Sequence, residues 1–110
     1  MAKDRAYSKY TAEALSLLGK QIRLNRIKHN WNESDLAERA GIARATLQKI
    51  EKGDPGCAIG LFFEAAVLVG IRLFDSEGAT LSRHLRQTDE TLTLLPKKIH
   101  HKTMIPDDEF

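Results

Sequence analysis

The sequence predicts an all-α protein, and two observations lead to this prediction. Apolar residues recur at helical spacing over much of the first 70 residues, as in Leu15, Leu18 and Ile22. Residues 32–53 also carry start and stop signals for two short helices joined by a tight turn. Because a chain of 110 residues with 42% hydrophobic residues can bury one modest core, we expect one domain of about five helices with extensions.

The chain opens with a polar arm and a first helix. Residues 1–10 are basic and lack periodicity, so we predict a flexible arm. Such an arm is either simply solvated or suited to follow the phosphates or enter the minor groove of a nucleic acid. Residues 11–29 have the helical pattern. Asn30 is predicted to end this helix in a left-handed conformation, after which Trp31 packs inward.

The second helix is predicted over residues 33–40. Asn32 is a good N-cap, and Asp35 completes a capping box with it. Gly41 then ends the helix, because glycine adopts the left-handed conformation that reverses the chain. Ile42 follows and fills the angle between this helix and the next.

The third helix is predicted over residues 44–52. It buries Leu47 and Ile50, which are three residues apart and lie on one face. Its outward side chains are Arg44, Ala45, Gln48 and Lys49. Arg26, on the inner side of the first helix, needs an acidic partner, and Glu51 of the third helix is the candidate.

Residues 32–53 resemble the helix-turn-helix of the XRE family, which includes phage repressors and Cro proteins. The matching positions are Asn32, Leu36-Ala37, Gly41, Ile42 and Ile50-Glu51-Lys52-Gly53. The resemblance implies a lambda-repressor-like domain over residues 11–70, DNA binding by the third helix, and an ion pair between Arg26 and Glu51. Two positions depart from the family pattern. Glu33 replaces a glutamine and would repel a phosphate, and Ala43 replaces a hydroxyl cap.

In this reading, the outward residues of the third helix meet DNA. Arg44 can bind guanine through O6 and N7, Gln48 can read adenine, and Ala45 can contact a thymine methyl group. Lys49 is expected to reach a base or a phosphate. The expected phosphate contacts come from Thr46, Lys52 and Asn32. A solvated surface is the alternative for these side chains.

Residues 53–56 form a predicted turn, followed by a broadly apolar helix over residues 59–69. Residues 71–75 alternate and are predicted to form a short β-strand. A single strand leaves its backbone unpaired, so we expect it to pair with the same strand of a second chain. The expected dimerisation residues are Ile71, Leu73 and Phe74, and an irregular linker is the alternative.

The C-terminal extension continues with a short helix over residues 76–88 and an alternating segment over residues 91–95 that ends at Pro96. Residues 71–95 therefore form a dimerisation and extension segment. Residues 96–110 form a tail with a basic cluster and an acidic end that terminates in Phe110. That end is either a docking peptide or a solvated tail.

The segment after residue 70 supports a narrower resemblance. A repressor-type domain followed by a strand, a short helix and Leu94-Leu95-Pro96-Lys97-Lys98 is similar to HipB-like antitoxins. This resemblance implies a homodimer that represses its own operon and holds a HipA-like kinase toxin inactive. The alternatives are a stand-alone regulator of the XRE family and a protein-interaction module that no longer binds DNA.

Catalysis and metal binding find little support in the sequence. His100 and His101 are adjacent and point apart in an extended segment, while Cys57 has no second cysteine nearby. His84 with Asp89 has no further converging group. We therefore expect a binding protein, not an enzyme, without a metal or another cofactor.

The distribution of charge fits a DNA partner. Residues 1–52 carry eleven lysines and arginines against six acids, whereas residues 53–110 carry six against nine. The longest apolar run, residues 58–70, is too short to span a bilayer. The polar start has no signal-peptide pattern, and a single cysteine suits a reducing compartment. We expect a cytoplasmic protein without a membrane partner.

Overall fold

The structure, a computed structural model, describes residues 5–74 and 80–99, and the chain divides into two units, 1–75 and 76–110. The first unit contains α1 (Lys9–Lys28), α2 (Glu33–Ala40), α3 (Arg44–Glu51) and α4 (Ile59–Leu68). The second contains α5 (Leu81–Thr93). Within the described residues, the all-α prediction is confirmed.

α1 begins earlier than predicted because the Ser8 hydroxyl caps it. The Ser8 oxygen accepts a hydrogen bond from the Thr11 backbone N–H at 3.2 Å, so Lys9 and Tyr10 belong to the helix and not to an arm. The inner face of α1 buries Gly19, Ile22 and Arg26, which recur at helical spacing.

The four helices of the first unit end in the same way. A residue with positive φ follows each helix, and the next residue donates its backbone N–H to a carbonyl five positions earlier. The pairs are Asn30-Trp31, Gly41-Ile42, Gly53-Asp54 and Gly70-Ile71. In three of the four pairs the second residue is apolar and packs against the core. The predicted left-handed conformations of Asn30 and Gly41 are confirmed, with φ of 63° and 70°.

The core lies where α1 and α2 both pack against α3 and α4. Its buried apolar residues are Ile22, Leu36, Ala37, Leu47, Ile50, Phe62, Ala65, Ala66 and Val69. Trp31 packs against the rim of this core, and the Arg39 guanidinium lies 4.2 Å above its ring. The burial predicted for Leu47 and Ile50 is confirmed.

The β-strand predicted at residues 71–75 is not seen in its described part, residues 71–74. The Ile71 N–H donates to the Ala66 carbonyl at 2.9 Å, so it caps α4 and is not available for a strand ladder. Phe74 has φ of 53°, which is incompatible with a strand. Ile71 and Leu73 are half-buried against the core of their own chain, whereas Phe74 is 72% exposed and meets Phe63 edge-on.

α5 differs from the predicted helix over residues 76–88. The Thr80 hydroxyl accepts the Arg83 backbone N–H at 3.1 Å and starts the helix there. The helix continues through Thr93, so the alternating segment at residues 91–95 contains its last turn and is not extended. Leu94 is the C-cap, two positions before Pro96.

Several expectations fall outside the described residues. Residues 1–4 of the predicted arm, Asp75 of the predicted strand and residues 76–79 of the predicted helix lie there. Most of the predicted tail, including His100, His101 and the acidic end with Phe110, also lies there.

Candidate nucleic-acid interface

The α2–α3 unit is fixed by local contacts that the sequence encodes. The Asn32 side-chain oxygen accepts the Asp35 N–H at 2.8 Å, and the Asp35 carboxylate accepts the Asn32 N–H at 2.9 Å. Gly41 then reverses the chain, and the Ile42 N–H donates to the Ala37 carbonyl at 3.0 Å. These contacts place the start of α3 close to the start of α2.

A buried ion pair joins α1 to the end of α3. Arg26 Nε donates to Glu51 Oε2 at 2.7 Å and Arg26 Nη2 donates to Glu51 Oε1 at 3.1 Å, which is a bidentate arrangement. Arg26 Nη1 also donates to the Trp31 carbonyl at 2.9 Å. The hydrogen bonds from Arg26 to Glu51 outweigh the cost of burial and raise the pKa of Arg26. α3 is therefore held to α1 by a buried, bidentate ion pair.

Gly19 lets α1 approach this end of α3, a role that the sequence analysis missed. A Cβ atom on Gly19 would lie 2.5 Å from the Ile50 carbonyl oxygen and 2.7 Å from the Glu51 carbonyl oxygen. Its position on the inner stripe, one turn before Ile22, is the signal that identifies it. α1 contacts the α3 backbone directly at this point.

The outward face of α3 presents most of the residues expected to meet DNA. The Arg44 side chain is 63% exposed. Ala45, Lys49 and Lys52 are also exposed, whereas Thr46 and Gln48 are half-buried. Asn32 lies at the start of α2 and uses its side-chain oxygen for the helix cap. An open pocket of about 380 Å³ between the starts of α2 and α3 is lined by Arg26, Asn32, Glu33, Ser34 and Arg44.

Glu33 contacts two of the expected base-reading residues. Its Oε1 accepts a hydrogen bond from Gln48 Nε2 at 2.8 Å and another from Arg44 Nε at 3.2 Å. The sequence analysis identified Glu33 as a source of repulsion but not as a partner of α3. The sequence carried part of the signal, since the i, i+4 spacing of Arg44 and Gln48 puts two N–H donors on one face of α3.

The contact leaves both partners able to bind a base. A guanidinium that donates through Nε keeps four N–H groups on Nη1 and Nη2, and those are the groups that bind guanine side by side. Gln48 keeps one amide N–H and its carbonyl oxygen, the pair that adenine requires. The contact with Glu33 therefore occupies Arg44 Nε and one N–H of Gln48 Nε2, and it does not occupy the other donors of these two side chains.

The Glu33 carboxylate is ionised at neutral pH. Hydrogen bonds from Gln48 and then from Arg44 lower the pKa of Glu33. Because the pKa is lowered in the folded state, the contact is present at neutral pH and is lost as the pH falls through that lowered pKa. The face that would meet phosphates thus carries one fixed negative charge.

The remaining chemistry of the described residues is sparse. Cys57 is a free, half-buried thiol, and burial followed by the charge of Asp54 raises its pKa. Among residues 5–74 and 80–99, no helix has both the length and the apolar character needed to cross a membrane.

Comparison with known proteins agrees with this geometry. The helix-turn-helix family model matches residues 22–56, from the second half of α1 to the turn after α3. An uncharacterized HTH-type transcriptional regulator of Methanocaldococcus jannaschii is 33% identical over 55 residues, which make up 50% of this chain and 83% of that protein. No solved structure matches the chain. The chain belongs to the helix-turn-helix family, of XRE type.

Proposed function

We propose that this chain is a sequence-specific, DNA-binding transcriptional repressor. The observation that carries the proposal is the exposed face of α3, which presents Arg44, Ala45 and Lys49 to solvent on a helix anchored by the Arg26–Glu51 pair. The relative's name, HTH-type transcriptional regulator, supports a regulatory role. Because operator DNA lies in the cytoplasm of a prokaryotic cell, a cytoplasmic location is part of the proposal.

In the proposed complex, α3 enters the major groove with its N-terminal half toward the base edges. Arg44 binds guanine, Gln48 binds adenine, and Ala45 contacts a thymine methyl group. Lys49 contacts a base or a phosphate. Thr46, Lys52 and Asn32 bind phosphates and fix the position of α3 along the groove. A homodimer presents two such helices roughly 34 Å apart, so the operator is an inverted repeat.

Replacing Arg44 tests the reading role directly. We expect Arg44→Ala to weaken operator binding by about 1–3 kcal/mol and to relax the preference at one base pair in each half-site. The measurement is a gel shift with DNA upstream of the chain's own gene and with single-base variants of it. Arg23→Ala, which removes an exposed arginine of α1, is the matched control. An unchanged base preference in Arg44→Ala would remove Arg44 from the reading role.

The dependence on salt tests whether the chain binds DNA at all. The logarithm of the binding constant should fall linearly with the logarithm of the salt concentration, with a slope of about −0.9 for each phosphate contacted. A chain that has become a protein-interaction module would show no such binding. Glu33, which adds a negative charge to this face, is the residue that makes this alternative worth testing.

The narrower proposal is that the repressor is a HipB-like antitoxin. It rests on the sequence resemblance, which implies autoregulation of an operon and neutralisation of a HipA-like kinase toxin. Co-purification from the native host tests it: a kinase-sized companion encoded beside this gene supports the antitoxin. A chain that binds its operator but recovers no kinase is instead a stand-alone regulator.

A further inference from the structure

We propose that Glu33 is a positioning residue that decides which DNA strand must carry the adenine read by Gln48. It does so by holding the Gln48 amide in one orientation, with the nitrogen toward α2 and the oxygen on the other side. This inference rests on the proposed DNA-binding function and deepens it, because it adds a residue of α2 to those that determine the operator sequence.

The contact between Glu33 and Gln48 admits only one orientation of the amide. Gln48 Nε2 donates to Glu33 Oε1 at 2.8 Å. An ionised carboxylate accepts hydrogen bonds and donates none, so it binds Nε2 of the amide and not Oε1. Hydrogen bonds from Gln48 and then from Arg44 lower the pKa of Glu33, so the carboxylate is ionised at neutral pH. If the amide turned over, two acceptors would face each other.

The carboxylate that orients Gln48 is itself held by several contacts. Arg44 Nε donates to the same oxygen, Glu33 Oε1, at 3.2 Å. Glu33 is the first residue of α2 and directly follows the Asn32 cap, which fixes its backbone. The bond from Gln48 is partly buried, and hydrogen bonds to a charged group are stronger than those between neutral groups. Glu33 therefore resists reorientation of the Gln48 amide.

Adenine fits the held amide from one side of the groove only. In the major groove its N7 accepts and its N6 donates, and N7 lies nearer the backbone of its own strand. In the proposed complex, α2 crosses the backbone of one strand while α3 enters the groove. Gln48 then offers its second Nε2 N–H on the side of that strand and Oε1 toward the centre of the groove. The adenine that fits belongs to the strand that α2 crosses.

The inverted base pair conflicts with the held amide. With thymine on the strand that α2 crosses, the thymine methyl group takes the place of N7, and O4, an acceptor, takes the place of N6. Nε2 of Gln48 then meets the methyl group and Oε1 meets O4. A free glutamine would relieve this conflict by turning over and donating to O4, but Glu33 opposes the turn. Glu33 thus disfavours T·A at this position without contacting a base.

Arg44 provides an internal comparison, because it contacts the same carboxylate. A guanidinium has only donors, so a change in its orientation exchanges one donor for another. An amide has a donor on one side and an acceptor on the other, so a change in its orientation reverses the pattern. We therefore expect loss of Glu33 to affect the base pair read by Gln48 more than the base pair read by Arg44.

The test compares the affinity of the full chain for its operator and for DNAs in which single base pairs are inverted. Gln48→Ala identifies the base pair that Gln48 reads, because the preference at that pair disappears. There we expect the unaltered chain to bind A·T about fivefold or more tightly than T·A. Glu33→Ala should make these two affinities nearly equal and should retain the preference at the Arg44 pair. Glu33→Gln, whose amide both accepts and donates, should give an intermediate ratio.

Site-directed cleavage tests the assignment of the strand. In a Cys57→Ala background, Ser34→Cys places a single thiol on the exposed first turn of α2. An iron chelate attached to this thiol cuts the DNA strand that α2 crosses, and the Cys57→Ala chain treated in the same way is the control. We expect the stronger cuts on the strand that carries the adenine. Stronger cuts on the thymine strand would overturn the inference.

A double-mutant cycle separates positioning from general damage. In a Gln48→Ala background, Glu33→Ala should leave the ratio of the A·T and T·A affinities unchanged, because the amide that Glu33 holds is gone. Fluorescence of Trp31, the single tryptophan, reports whether the first unit remains folded in each variant. A folded Glu33→Ala chain that keeps the full A·T preference would overturn the inference and leave the repressor in place. A chain that binds none of these DNAs would reject the repressor and the inference with it.

Discussion

The arginine at position 26 shows how one residue fixes the orientation of α3. Its guanidinium binds Glu51 at the end of α3 and the Trp31 carbonyl after α1, so three points of the chain meet at one side chain. Both partners are buried, at 6% and 7% exposure. In this setting, removal of one charge leaves the other without compensation.

We therefore expect Glu51→Gln to lower the free energy of unfolding by about 3–5 kcal/mol, because the buried Arg26 loses its counter-charge. Urea unfolding followed by Trp31 fluorescence measures the change. Lys52→Gln, which alters the exposed neighbour, should leave the transition midpoint unchanged. Equal midpoints for the two variants would contradict the importance of the pair for stability.

Glu33 accepts hydrogen bonds from Arg44 and Gln48, and its negative charge would repel a DNA phosphate. Two substitutions can separate these effects. Glu33→Gln keeps an acceptor for Gln48 and removes the charge, so we expect operator binding to become slightly tighter. Glu33→Ala removes the acceptor as well, so we expect Arg44 and Gln48 to lose orientation and the base preference to weaken. Fluorescence anisotropy with operator and single-base variants measures both effects, and Glu38→Gln on the exposed face of α2 is the control. Identical behaviour of the two Glu33 variants would show that orientation plays no part.

At the level of elements, the packing of α1 on α3 depends on the absence of a side chain at position 19. At an open helical position, glycine to alanine stabilises a helix by up to about 1 kcal/mol. Gly19→Ala should instead destabilise the protein by about 1–3 kcal/mol, because the added methyl group meets backbone atoms of Ile50 and Glu51. The midpoint temperature of thermal unfolding, compared with that of the unaltered chain, gives the sign of the change in stability. Gly60→Ala in α4, where no atom from elsewhere in the described part of the chain lies within 4 Å of the new Cβ, should have the opposite sign.

The elements also show what the sequence can predict. The bounds of α2 and α3 follow from local signals, since the Asn32 cap and the left-handed Gly41 act within a few residues. The β-strand at residues 71–75 is predicted from the alternation of side chains alone. Alternation over so few residues does not distinguish a strand from the residues that cap a helix. Gly70-Ile71 has the same order of a glycine and an apolar residue as Gly41-Ile42, which ends α2. This repetition is the sequence signal that Gly70-Ile71 ends α4. The contact of Glu33 with α3 depends on the angle between two helices, which spacing does not determine.

At the level of the whole molecule, the proposed homodimer would present two copies of α3 to one operator. Affinity for an inverted repeat would then depend on both subunits, whereas affinity for a single half-site would depend on one. We expect the chain to bind an inverted repeat about tenfold or more tightly than a single half-site. Titration of the chain with both DNAs measures this difference, and equal affinities for the two DNAs would contradict the homodimer.

In the proposed repressor, the two hydrogen bonds that the Glu33 side chain accepts also limit how a new operator preference can arise. An engineer who randomised positions 44 and 48 alone would select only among side chains that tolerate a neighbouring anion, and would recover mainly donors. Libraries that vary position 33 together with them would reach apolar and acidic readers as well. The evolution of a preference for a different DNA sequence would meet the same dependence of positions 44 and 48 on position 33. It would therefore need paired changes in α2 and α3.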